Sequence, residues 1–465
     1  MQSSFRITVL ACLQLIAAVS FSQTVAQVFS YPSNAPGPVS TPTQGRDGSL
    51  YTTTSGDGTT HTNGAVFQTP IATKGTRLWH TFTTTDGTNP ESGLTLGLDG
   101  NYYGVVPGGG ISGYGILFEI SAAGTYTILH EFTGESDGGA PVSAPVQASD
   151  GNLYGNTSFG SVNAGTIYKF SPPSGTFTTI FSFAQDGSQG KQMAAPLIQA
   201  SDGNLYGTTA FGGVSNAGTI FKLSTSGSLL VSYSFPDGAG GGLPLAPLVQ
   251  ATDGNLYGTT FYGGTITGEC NNGCGTIFKM SHGVVSILYS FTGTVADGEY
   301  PEAGLTEGTD GILYGSTIKG GKSQLGIIYQ VTTTGQYKLL YSFIAEVGSG
   351  PSAALQQYTS GKFYGTAGGG GRNGAGSLYS LDMGLGAFVA LVRYTGRIGQ
   401  PVQILGQALT GSTAVTINGI AATSFKVVSD TYMTAVIPSG ASTGPVVVTT
   451  PAGTLTSNHN LRIVQ

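Results

Sequence analysis

The side chains best suited to chemistry in this chain are acids and aromatics on glycine-rich segments. Asp86, Asp137, Asp186, Asp237 and Asp297 each precede a glycine, and Glu91, Glu135, Glu299 and Glu302 lie close by. Tyr114, Phe159, Phe211 and Tyr262 occupy comparable segments. Paired carboxylates can act as acid and base in glycoside hydrolysis, and grouped ones admit a calcium ion, although no EF-hand spacing is present. The plainer reading is that the Asp-Gly pairs are turns. Gly134-Glu135-Ser136-Asp137-Gly138 matches a nucleophile elbow in letters only, since that motif needs a strand-to-helix corner. The histidines His61, His80, His130, His282 and His459 are scattered, and no zinc, phosphate-loop or dinucleotide pattern occurs. No metal or other cofactor is expected beyond that option of calcium.

Two further sets recur at fixed places. A tyrosine follows each of seven turns by four residues: Tyr51, Tyr103, Tyr154, Tyr206, Tyr257, Tyr314 and Tyr364. The aromatics Phe67, Phe118, Tyr168, Phe221, Phe278, Tyr329 and Tyr379 form a second such set. A seven-fold aromatic is read as packing between repeats rather than as a sugar platform. Three residues before each turn stand Gln44, Leu96, Gln147, Gln199, Gln250, Glu307 and Gln357. These side chains either line a central axis as a polar ring or bond neighbouring repeats, satisfying buried backbone groups.

The elements that position them are repeats. Asp202-Gly-Asn-Leu-Tyr-Gly-Thr-Thr returns from Asp253, with looser copies from Asp47, Asp99, Asp150, Asp310 and Ser360, 50–57 residues apart. Gly218-Thr-Ile-Phe-Lys follows in phase and recurs from Gly165 and Gly275. A third block ends in an aromatic, as in Val231–Phe235. Each unit therefore reads as four short strands, A to D; in the fifth they are 247–252, 255–261, 276–280 and 284–291. The Asp-Gly between A and B suits a tight primed hairpin turn. Four strands repeated seven times predict an all-β fold, a seven-bladed β-propeller. Val28–Tyr31 resembles a D strand yet precedes the first A strand, and Phe388–Tyr394 resembles one too. The first of these is expected to complete the last blade.

This pattern, Asp-Gly-Asn-Leu-Tyr-Gly followed by Gly-Thr-Ile-Phe-Lys, resembles the GloVer tandem-repeat family of exported bacterial proteins, called "choice-of-anchor" for their varied surface anchors. The resemblance covers roughly residues 28–394 and implies a surface or secreted propeller without an assigned activity. The hydrophobic, basic-tailed sorting segment of that family has no counterpart here. After residue 394 the phase is lost. Gly399-Gln-Pro-Val-Gln-Ile-Leu-Gly, Val415-Thr-Ile-Asn-Gly and Gly444-Pro-Val-Val-Val-Thr look like the immunoglobulin-like IPT/TIG domain, a small β-sandwich over 395–465.

The start of the chain reads as an address. One arginine, an apolar run from Ile7 to Val19 and small residues up to Ala26 resemble an export leader, residues 1–26, cleaved after Ala26. The run is too short to span a membrane, and no other segment qualifies. The mature protein, 27–394 plus the tail, is expected to be secreted or on the cell surface, with the periplasm or outer membrane as alternatives. There Cys270 and Cys274 read as a local disulfide.

With 17 Lys and Arg against 23 Asp and Glu, there is no basic excess to neutralise nucleic acid. Alternating strand direction places the B–C and D–A loops on one face. Those loops vary most, so that face is expected to work. The leading expectation is a monomeric, non-enzymatic scaffold presenting it to a polysaccharide or envelope protein. The rivals are a carbohydrate-active hydrolase or lyase using loop acids, and a structural spacer.

Overall fold

The computed structural model describes residues 23–34, 36–56, 63–73, 75–160, 164–266 and 270–464. Most of the expected leader therefore lies outside the described residues, as does His61. Among the described residues no helix is long and apolar enough to cross a membrane, and the one helical element is the short 3-10 turn Gly238–Gly240.

Each repeat folds as one antiparallel sheet. In the fifth, Val249–Gln250, Leu256–Thr260, Thr276–Ser281 and Val284–Ser290 pair in chain order. Among the described residues, seven such four-stranded sheets make up the repeat region, giving an all-β, propeller-like fold. Strand A is shorter than its sequence suggests. Pro247 has no N–H to give to a ladder, so only Val249 and Gln250 pair.

In the fifth unit strand B is buried along its whole length, which explains the Leu-Tyr-Gly motif. A Cβ on Gly258 would run into the Phe278 ring of strand C, and one on Gly155 into Tyr168. The A–B turn differs from the primed form. Only its glycine is left-handed, as at Gly203 (φ 85°) and Gly254 (φ 82°). The aspartate before it stays in ordinary geometry because its carboxylate caps the turn, Asp253 Oδ1 accepting from Asn255 N–H at 3.0 Å.

Aromatics join the sheets in a continuous series. Phe82 packs on Phe118, Phe132 on Tyr168, Phe183 on Phe221, Phe235 on Phe278, Phe291 on Tyr329 and Phe343 on Tyr379, with centroids 5.0–5.5 Å apart. Each pair couples one unit's strand D to the next unit's strand C and is worth about 1 kcal/mol beyond the area it buries. The seventh pair is Tyr31 on Phe67, at 5.2 Å. Tyr31 can make it because Thr24–Ser30 pairs with Ser377–Asp382 and supplies the last sheet's outer strand. The ladder uses Thr24, Val25 and Ala26, so a cut after Ala26 would remove its first three residues.

The tail has its own core. One sheet contains Ala390–Leu391, Pro401–Leu405, Tyr432–Val436 and Ser424–Ser429. The other contains Ile420–Ala421, Ala414–Ile417, Val446–Thr450 and Gly453–Thr456. Val402, Ile404, Val415, Met433, Val446 and Val448 fill the space between. Residues 388–394 are thus not a D strand. Leu391 pairs with Ile404, which moves the seam from 394 to before Phe388. The tail sits on the A–B turns: Thr431 Oγ1 donates to Arg46 O at 2.7 Å, Gln403 Nε2 to Leu98 O at 2.6 Å, and Arg393 to Ser149 O at 3.3 Å.

Candidate functional site

The amides three residues before each turn reach sideways to the preceding unit. Gln147 Oε1 accepts from Leu98 N–H at 2.9 Å, Gln199 from Ser149 N–H at 2.7 Å, and Gln250 from Ser201 N–H at 2.7 Å. Glu307 accepts from Thr252 N–H and Oγ1, Gln357 from Thr309 N–H, and Gln44 from Thr359 N–H. Of the two roles considered, bonding between repeats is the one they perform. Leu96 breaks the series, and there the Arg46 guanidinium bonds Leu98 O at 2.7 Å.

The turn tyrosines are braces. Tyr154 donates to Asp150 Oδ2 at 2.7 Å, and Tyr257 and Tyr314 repeat the bond to Asp253 and Asp310. The loop aspartates are also engaged. Asp137 holds Thr133 N–H and His130 Nε2; Asp297, buried, takes Thr292 N–H and the Tyr289 hydroxyl; Asp186 caps Ser188. Asp237 precedes the 3-10 turn without a side-chain cap bond. They do not converge on one point. Among the described residues, no group of three or more His, Cys, Asp or Glu could hold a metal.

The rim aromatics divide. Tyr114 meets Phe159 edge-on at 5.9 Å. Tyr262 joins Phe261 and Tyr300, the latter two stacked at 4.8 Å, with Lys319 over Tyr300. Phe211 stands apart, 37% exposed. Phe159, Phe211 and Tyr262 bridge to Gly139, Lys191 and Gly242, so B–C and D–A loops do share one face. The Cys270–Cys274 disulfide pins the fifth B–C loop, and Cys274 O accepts from Tyr300 N–H at 2.9 Å.

At the centre of this face lies a cavity of about 500 Å³ to which all seven units contribute. A left-handed residue recurs in each D–A loop: Gly37, Asn89, Ala140, Gln192, Leu243, Tyr300 and Gly350, with φ of 48–75°. Its N–H is held by the preceding unit's B–C loop, as Ala140 N–H is by Tyr114 O at 2.9 Å. The bend it imposes turns the chain inward. Two residues later stand Val39, Glu91, Val142, Ala194, Leu245, Glu302 and Ser352, one collar around the cavity. Five units give this position an apolar or small side chain; two give it a carboxylate.

The repeat pattern of the Gloeobacter/Verrucomicrobia family matches residues 38–270 and 261–422. The chain belongs to that family. No curated protein matches it. Among solved structures it is similar to a fungal AA5-family alcohol oxidase in complex with copper (13% identity, TM-score 0.48, 95% of this chain and 99% of that one). It is also similar to PorZ, a surface component of the Porphyromonas gingivalis type-IX secretion system (15%, 0.49, 95% and 61%). A third is TolB of Acinetobacter baumannii (12%, 0.36, 59% of each).

In this Gloeobacter/Verrucomicrobia repeat, the collar is the position at which units differ while their frame stays constant. Glu91 is exposed and Glu302 half-buried; partial loss of hydration raises both carboxyls, with the Glu91 charge adding to the rise at Glu302. The Glu91 charge is thus felt at Glu302. Sequence reading gathered them with the other loop acids and did not single them out. A signal was present. Six of the seven left-handed residues precede a proline, and aligning the repeats on that proline puts both glutamates in one column.

Proposed function

We propose that this chain is an exported or surface-displayed binding scaffold. It is a seven-bladed β-propeller, closed by its first strand, with an IPT/TIG-like module on one face and the opposite face free to engage an envelope protein or polysaccharide. The observation that carries this reading is the two-sidedness of the ring. The tail occupies the A–B turns, while the cavity opens among the variable loops. The recurring amides and tyrosines and most of the loop aspartates hold the frame, leaving the collar and rim aromatics to make contacts. The test is retention of envelope fractions and glycans by the immobilised full chain. Binding that Phe211→Ala and Tyr262→Ala weaken supports the reading, and a chain that retains nothing defeats it.

A second reading has one observation in its favour. Two carboxylates with raised pKa in one cavity are the components of glycoside hydrolysis. It predicts sugar release from microbial or plant glycans that Glu91→Gln or Glu302→Gln abolishes; absence of product across such a panel removes it.

A further inference from the structure

Glu91 and Glu302 differ from four of the aspartates of the open face. Asp86, Asp137, Asp186 and Asp297 are bonded within their own loops. Glu91 is exposed and Glu302 half-buried; among the described residues neither carboxylate accepts a hydrogen bond, and besides lost hydration only the Glu91 charge acting on Glu302 bears on them. They belong to the second and sixth units, three steps apart one way round and four the other, so they stand nearly opposite across the axis. Val39, Val142, Ala194, Leu245 and Ser352 occupy the equivalent places between them.

We propose that the axial cavity binds an alkyl chain carrying primary ammonium groups, either a free diamine or the lysines of a basic segment. Two opposed carboxylates suit two separated positive ends, and the Val39, Val142, Ala194 and Leu245 side chains of the collar suit the methylenes between, which gain by leaving water. No aromatic lines the cavity, so a sugar would find no stacking surface there. A volume of about 500 Å³ lies within the usual range for small-ligand sites. The loops around it favour cations too, because Lys191, Lys319, Lys322 and Arg372 are outnumbered by acids.

This inference rests on the binding reading above and names the ligand of its central cavity. The test is calorimetric titration of the full chain at low ionic strength with 1,5-diaminopentane, a tetralysine peptide and, as neutral control, 1,5-pentanediol. Saturable binding of either amine but not the diol is expected. Glu91→Gln and Glu302→Gln should each weaken it about tenfold, and Leu245→Lys, which places an ammonium on the collar, should abolish it. Binding of the diamine marks a free ligand; binding of the peptide alone marks a partner's lysines. Equal binding of the diol, no response to either amine, or affinity unchanged in the double glutamine variant overturns the proposal. Should that happen while envelope fractions are still retained, the scaffold reading survives.

Discussion

Gln44 and Thr359 lie 315 positions apart in the chain, yet one side chain joins them twice. Gln44 Nε2 donates to Thr359 Oγ1 at 2.8 Å, and its Oε1 accepts from Thr359 N–H at 3.1 Å. Both residues are buried. This is the repeating amide contact placed at the junction of the last unit with the first. Gln44→Ala strands a buried N–H and should cost about 1–3 kcal/mol in urea unfolding. Gln199→Ala, at a half-buried internal junction, should cost less.

The tail braces the neighbouring junction. Arg46 bonds both Leu98 O and Gln403 Oε1 at 2.7 Å and lies over the Tyr432 ring at 4.7 Å. It stands where Leu96 leaves the amide series incomplete. A double-mutant cycle with Arg46→Ala and Gln403→Ala should show a coupling of about 0.5–3 kcal/mol in thermal unfolding. Additive losses would mean that the tail merely rests on the ring.

Stability should fall on acidification in two stages. Burial lowers the pKa of His80 and His130 despite the opposing Asp86 and Asp137 carboxylates, so the fold favours the neutral form of both rings over the charged one. Their contribution is complete above about 6.5 and declines as pH drops below it. Burial tends to raise the Asp202 and Asp253 carboxyls, but hydrogen bonds from Lys222, Asn204 and Tyr206 to the first, and from Tyr257, Asn255 and Lys279 to the second, outweigh it and bring both to about 2. That stability is present above about 4 and lost as pH falls towards 2. Asp202→Asn with Asp253→Asn should flatten the lower stage of a melting-temperature profile and leave the upper one intact.

Thr24, Val25 and Ala26 pair with Asp382, Leu381 and Ser380. On the proposed export reading, mass spectrometry of the mature chain should therefore find its first residue at or before Thr24, and deleting 24–26 should lower the melting temperature. A mature chain starting at Gln27 would show that the shortened strand suffices.

Much of the fold was legible because it is written seven times. Strand order, sheet size and the aromatic pairs follow from blocks such as Leu256-Tyr257-Gly258, where one glycine makes room for one ring. The Gln series was visible as a pattern, but its direction was not: whether Gln147 faces the axis or Leu98 N–H depends on where the neighbouring turn arrives. The seam was misplaced because Ala390–Leu391 has the composition of a D strand, and only Pro401–Leu405 beside it decides the partner. The collar stayed hidden for a different reason. Glu91 and Glu302 matter through their divergence from a column of Val, Ala, Leu and Ser, and repeat detection weights agreement.

The strand that finishes the last sheet, Thr24–Ser30, precedes every other described strand in the chain. Its partner, Ser377–Asp382, emerges some 350 residues later. Until then the polypeptide has an open seam with Phe67 lacking its Tyr31 neighbour, and closing so long a loop is slow. Sheets wired in this way stay unsealed until the seventh of them has been made.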